Sequence, residues 1–276
     1  MIREHLTFAC EGAMLVGTID KPEGGVLGAT TGLFIVSGGN ETRAGAWNGQ
    51  ARLAARLAGA GHAVLRFDRR GVGDSEGENR EFRNSAPDIG AAIEAFRTAC
   101  PGLARIVGMG NCDAASALML GGGFGLDALV LSNPWTIDAQ ESDEEAQAQV
   151  LRDHYRRRLA DPAAIRRLLR GQVPIRALAR SLVAMARPAS APAGPEGLAA
   201  EIAAGIADYA GEVRFLLAGR DRTALTFAAK WDKRDARIRT CPDATHSYVE
   251  PEAFAWLEAQ VLEVLEGQRA KTTRRP

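Results

Sequence analysis

Lysine is scarce in this chain. Only Lys21, Lys230, Lys233 and Lys271 carry an ammonium, so arginine supplies 30 of the 34 basic side chains. The skew belongs to the whole composition and weakens any argument from a local arginine cluster. An excess of either charge is missing too: 34 basic and 34 acidic residues give a formal net charge of zero. That balance excludes a dedicated nucleic-acid binder, which needs surplus positive charge to displace counterions. The four cysteines stand at 10, 100, 112 and 241. They form no C-x-x-C pair and are too few for a disulfide framework. Four histidines (His5, His62, His154, His246) make no H-x-x-x-H spacing, so neither a metal nor a cofactor that depends on one is expected. No apolar run approaches the roughly 18 residues needed to cross a bilayer. The opening segment, Met1 to Gly12, lacks the apolar centre of a signal peptide. A soluble protein in a reducing cytoplasm is the expectation.

What is present is a series of short apolar runs, each closed by turn residues. Gly32 to Ser37 ends in Gly38-Gly39, Ala63 to Phe67 ends at Asp68, and Ala104 to Met109 ends at Gly110. Leu126 to Leu131 ends in Ser132-Asn133-Pro134, Val213 to Ala218 ends at Gly219, and Ile238 to Cys241 ends at Pro242. Unalternating runs of this length fit strands buried on both faces. Between them, residues 50–58, 88–99 and 114–120 carry apolar side chains at three- and four-residue spacing. Phe254, Leu257, Val261, Leu262 and Leu265 stripe a further amphipathic helix. Strand alternating with helix implies an α/β fold: a mostly parallel sheet with helices on both faces. The first 20 residues read as an antiparallel hairpin added at one edge. The alternation breaks between Trp135 and Gly211. Residues 136–210 open acidic, become arginine-dense from Arg152 to Arg187, pass through a Pro/Ala/Gly stretch at 187–195, and return through a helical pattern at 198–209. A structureless loop of that length is unusual, so 136–210 is expected to be a helical cap inserted into a core made of 1–135 and 211–268. Residues 269–276 read as a frayed basic tail.

In an open parallel sheet, ligands bind at the carboxyl ends of the strands, so the residues there carry the functional signal. After the strand at 104–109 comes Gly110-Asn111-Cys112-Asp113-Ala114, then a helix. A strand turning sharply into a helix exposes its middle residue in a strained conformation and needs small neighbours. Gly110 and Ala114 meet that need. The helix amino terminus would favour the anionic form of a cysteine placed there. A free cysteine is also commonly a small buried hydrophobe, and an acid or a histidine on a loop is common by itself. Here, however, Asp221 follows one strand end and His246 follows the next. The chain order is nucleophile, acid, histidine, each after a strand. Cys112, Asp221 and His246 are therefore the candidate catalytic set. That chain order resembles the α/β-hydrolase arrangement, and the resemblance implies that the backbone N–H groups of Asp113 and of Gly39 or Asn40 hold an oxyanion. A dinucleotide site is excluded at Gly108-Met109-Gly110 and at Gly71-Val72-Gly73. An acidic residue (Asp113, Glu76) stands in each case where the third glycine belongs, and its charge would face a pyrophosphate.

Two further segments carry a resemblance. Asp68 through Ser75 is similar to the D-x-R-G-x-G-x-S turn that follows the fourth strand of many α/β-hydrolases, where its role is structural. Gly38-Gly39 stands where that superfamily places a His-Gly oxyanion loop. Within the superfamily the chain resembles the exosortase A system-associated hydrolase 1 family, through Gly38-Gly39 with Arg43 and Gly45, Leu65 through Gly77, Cys112-Asp113-Ala114-Ala115-Ser116-Ala117, Asn133-Pro134-Trp135, Gly219 through Ala224, and the histidine loop. That family carries cysteine at the strained turn. Its pattern departs here at Asn40 and Glu41, and in the order Thr245-His246. The resemblance implies a hydrolase linked to bacterial exopolysaccharide and protein-sorting loci.

Together these readings predict a cysteine-nucleophile hydrolase that cleaves an ester or thioester through an acyl-enzyme, with His246 as base and Asp221 orienting it. An acyltransferase would use the same three residues, and a non-catalytic binding protein could keep the same fold. The substrate would be a small or carrier-bound acyl compound. The cap arginines would suit an anionic carrier or membrane surface, or simply form a solvated helix face.

Overall fold

Strand residues in this chain alternate between two apolar faces, and a helix layer covers each. The computed structural model describes residues 1–26, 30–137 and 197–267. Most of the expected cap, its arginines from Arg152 to Arg187, the 187–195 stretch and the basic tail lie outside the described residues. Strands β1 (Ile2–Cys10) and β2 (Ala13–Lys21) form the antiparallel hairpin. They are followed by β3 (Thr30–Val36), α1 (Gly49–Gly59), β4 (Val64–Phe67), α2 (Ala86–Ala99), β5 (Leu103–Asn111) and α3 (Asp113–Leu120). Then come β6 (Ala128–Ser132), α4 (Gly197–Gly205), β7 (Glu212–Ala218), α5 (Arg222–Lys230), β8 (Ile238–Cys241) and α6 (Pro251–Glu266).

The eight strands make one sheet in the order β1-β2-β4-β3-β5-β6-β7-β8. β2 pairs antiparallel with β1 and β4, and all the other pairs are parallel. Leu33 and Ile35 of β3 face one cluster with Leu53 and Leu57 of α1 and Phe254, Leu257 and Val261 of α6. Phe34 and Val36, one residue out of phase, face the opposite cluster with Ile93 and Phe96 of α2, Leu118 of α3 and Phe227 of α5. Period-two alternation between two buried faces explains why these strands read as continuous apolar runs. The helical pattern read at 198–209 is present as α4, which ends at Gly205 and places Leu198 and Ile202 in the second cluster. No helix among the described residues is long and apolar enough to cross a membrane.

Two buried strand residues are charged. Arg66 in β4 is 2% exposed and donates to Asp20 Oδ2 at 2.9 Å; Asp20, in β2, is fully buried and also accepts from Arg3 at 2.6 Å. The pair sits where the hairpin joins the parallel sheet, so the junction is both laddered and ionic.

Candidate active site

The carboxyl ends of β3, β5, β6, β7 and β8 bring the three sequence-selected side chains to one place. β5 ends at Asn111 and α3 begins at Asp113, leaving one residue for the reversal. Cys112 takes it with φ 62 and ψ −127, a region that L-residues rarely occupy. The geometry dictates the small neighbours. A β-carbon at Gly110 would lie 2.7 Å from the backbone of Ala114 and Ala115, and one at Gly38 would lie 2.5 Å from Asn111 O. The strained residue is held on both sides: its N–H donates to Ser132 O at 2.9 Å, and its carbonyl accepts from Trp135 N–H at 3.2 Å. Cys112 is half-buried, whereas Cys10 and Cys100 are buried.

His246 comes from the loop after β8. Its Nδ1 lies 2.9 Å from Asp221 Oδ2, so Nδ1 carries the proton and Nε2 is left for Cys112, which is within hydrogen-bonding reach of the ring. These contacts push the ring's pKa up from 6.5 to about 10. The Asp221 bond contributes most, the Cys112 bond next, and partial burial works against both. Asp221 is 8% exposed and does two jobs, because the same Oδ2 also accepts from Ala224 N–H at 3.0 Å and caps α5. Asp221 thus caps α5 and contacts the His246 ring with the same carboxylate oxygen.

The loop after β3 departs from the expectation placed on it. The N–H of Gly39 donates to Asp113 Oδ1 at 2.7 Å. Arg69, 4% exposed, donates to Gly39 O and lies 3.4 Å from Asp113 Oδ2. One of the donors expected to serve an oxyanion is thus engaged by the side chain of the next residue after the cysteine. The cause is simple: a carboxylate at position 113 is the strongest acceptor within reach of the loop. The first turn of α3 leaves the backbone N–H of Asp113 without an intrahelical acceptor, and Asn40 is exposed on the same loop.

Two site residues escaped the sequence reading as functional candidates. Asn133, fully buried with φ 44, donates to Asn111 Oδ1 at 3.0 Å and to His246 O at 3.1 Å, and accepts from Ala218 N–H at 2.8 Å. Asn111 places Nδ2 3.3 Å from His246 Nε2. The only sequence signal was Asn133 at a strand end before Pro134, where asparagine is favoured because it tolerates positive φ. Around them, Glu250 Oε2 accepts from Thr245 N–H and Oγ1–H at 3.2 and 3.1 Å, and Trp47 Nε1–H donates to Ser247 O at 3.0 Å. A cavity of about 50 Å³ lies behind the site, bordered by Trp47, Gln50, Asn111, Ser132 and Tyr248 rather than by Cys112.

The turn at Asp68 is structural, as the sequence implied. Asp68 is fully buried; its carboxylate accepts from the N–H of Arg43 at 2.5 Å and of Asp74 at 3.0 Å and pairs with the Arg43 guanidinium. Ser75 Oγ–H closes the turn on Asp68 O at 2.7 Å.

The profile of the alpha/beta hydrolase family matches residues 33–259. The chain belongs to that family. No curated protein sequence matches it significantly. Several solved structures share the fold of this alpha/beta hydrolase. The esterase Pf2001 of Pyrococcus furiosus superposes with a TM-score of 0.58 at 14% identity, over 96% of this chain and 92% of the esterase. Est1E of Butyrivibrio proteoclasticus, solved with ferulic acid bound, gives 0.60 at 14% identity, over 96% and 99%. The alpha/beta hydrolase GrgF of Penicillium sp. sh18 gives 0.62 at 16% identity, over 96% and 98%.

Proposed function

We propose that this alpha/beta hydrolase cleaves a carboxylic ester or thioester with Cys112 as nucleophile. One observation carries the reading: a cysteine in the strained turn between β5 and α3 shares an imidazole with a buried carboxylate. His246 Nε2 takes the thiol proton while Asp221 holds Nδ1–H. The thiolate adds to the substrate carbonyl, and the resulting oxyanion is met by the N–H of Asp113 and the N–H of Asn40. Gly39 N–H joins them only by releasing Asp113 Oδ1. Collapse breaks the bond to the leaving group, which takes its proton from the imidazolium and leaves a thioester on Cys112. Water, deprotonated by the same imidazole, then releases the acid. Because a thiolate is a good leaving group, the tetrahedral intermediate from an ordinary amide returns to substrate more readily than one from an ester or thioester, so esters and thioesters are favoured.

Several features support the reading. The four cysteines are unpaired, in keeping with a reducing cytoplasm in which a nucleophilic sulfur survives. A small carboxylic acid in the fold relative Est1E fits a small acyl substrate. The run from Cys112 to Ala117 and the Asn133-Pro134-Trp135 segment favour the narrower exosortase-associated family, which also carries cysteine at this turn. The test is Cys112→Ala assayed on p-nitrophenyl esters and acyl thioesters. The expected outcome is a fall in kcat/KM of about 10³-fold or more, with an acyl adduct on the Cys112 peptide of the unsubstituted chain. Unchanged turnover ends the reading.

A further inference from the structure

We infer that Asn133 and Asn111 form an amide relay that presents an N–H donor to His246 Nε2, making Asn111 a positioning residue that opposes protonation of the ring. The inference deepens the proposed Cys112–His246 chemistry and rests on it.

The relay begins at a group that cannot turn round. The N–H of Ala218 is a backbone donor at the end of β7, and it reaches Asn133 Oδ1 at 2.8 Å. That fixes which end of the Asn133 amide is oxygen. Its Nδ2 must then face the other way, and there it finds two acceptors, Asn111 Oδ1 at 3.0 Å and His246 O at 3.1 Å. Asn133 has no solvent to offer an alternative, being fully buried at φ 44. With the oxygen of Asn111 fixed in turn, its Nδ2 is the atom left beside the imidazole, 3.3 Å from Nε2 and 3.5 Å from His246 O. Each amide has a determined direction, traceable to one backbone donor.

The direction matters chemically. Asp221 occupies Nδ1, so the neutral ring carries its lone pair on Nε2. An N–H aimed at that lone pair stabilises the neutral ring. Against an imidazolium, the same N–H faces another N–H. Asn111 therefore works against the two groups that draw a proton onto the ring, Asp221 from the turn before α5 and Cys112 from the turn before α3. Of the other titratable groups nearby, Glu250 holds Thr245 and Asp113 is turned toward Gly39 and Arg69, while Tyr248 Oη bonds Ser132 Oγ at 3.0 Å and is also within hydrogen-bonding reach of Asn133, upstream of Asn111 in the relay. The relay holds the ring's proton affinity below what Asp221 and Cys112 alone would impose.

The experiment is an imidazole ¹⁵N NMR titration of the full chain carrying Cys112→Ala, so that no sulfur titrates with the ring; four histidines keep the spectrum readable. Adding Asn111→Ala is expected to raise the His246 midpoint by half a unit or more, about a 3-fold gain in proton affinity. In the chain that keeps Asn111, the side-chain NH₂ resonances of Asn111 are expected to move with the His246 midpoint, a readout that needs no substitution at 111. An unchanged or lowered midpoint in the Asn111→Ala chain, or Asn111 resonances that stay still through the titration, overturns the relay. No turnover is read, so the two ideas fail separately. Ester hydrolysis that survives Cys112→Ala sinks the nucleophile, whereas a flat comparison of titrations sinks the relay alone.

Discussion

Cys112 sits at φ 62, a conformation that costs of order 1–3 kcal/mol for a residue with a β-carbon and is maintained by bonds to β6 and to Trp135. The strained turn leaves Cys112 half-buried beside His246, and Asp221 has the largest effect on that ring. Asp221→Asn keeps the size of the side chain and an oxygen for the Ala224 N–H, but removes the charge. A fall in kcat of about 10³- to 10⁴-fold is expected, with a lower melting temperature at neutral pH because the charged ring loses its partner. The ring also links stability to pH. Its folded pKa of about 10 lies above the ordinary 6.5, so the contribution is complete below about pH 6.5 and is lost as the pH rises through about 10. The melting-temperature advantage of the parent chain over His246→Gln should shrink across that window; a constant difference would contradict it. That Cys112, Asp221 and His246 would meet was legible because each follows a strand in a telling order. Asn111 and Asn133 were not, since an amide's role is set by what it faces in space. The engagement of Gly39 by Asp113 escaped for the same reason: the two residues are 74 positions apart in the chain.

The turns at the strand ends do the positioning. Strands were readable from apolar runs between turn residues, and the helices from their spacing, because both reflect burial. Boundaries shifted where hydrogen bonding outlasts hydrophobicity. β5 continues through Gly110 to Asn111, since both pair with β6 although neither adds apolar surface. The close approach at Gly38 links the β3 turn to the cysteine turn, because its missing β-carbon leaves room for Asn111 O and Asp113 Oδ1. Gly38→Ala should push the β3 turn off the cysteine turn, costing about 1–3 kcal/mol of stability and lowering kcat more than it raises KM. Steady-state kinetics beside a denaturant melt checks both parts, and wild-type kinetics in that variant would contradict the assigned contact.

Across the whole molecule, two apolar layers sandwich one sheet, and this much was legible down to the edge hairpin. What the pattern could not reveal is that Arg66, inside an apolar run, points into a buried ion pair. Charged partners 46 residues apart leave no periodic trace. Asp20→Ala would strand the Arg66 guanidinium at 2% exposure and should cost about 3–5 kcal/mol. Urea unfolding measures it, and a loss under about 1 kcal/mol would mean that Arg66 finds another partner.

β1 is the outermost strand of the sheet, with nothing among the described residues bonded along its far side. Such a border invites a neighbouring molecule to add its own strand. Arg3 and Glu4 lie on it, tied to Asp20 and Lys21 of the adjoining strand, and joining two borders would strip water from those charges. The arrangement acts as a fence, favouring separate molecules in concentrated solution over stacked sheets.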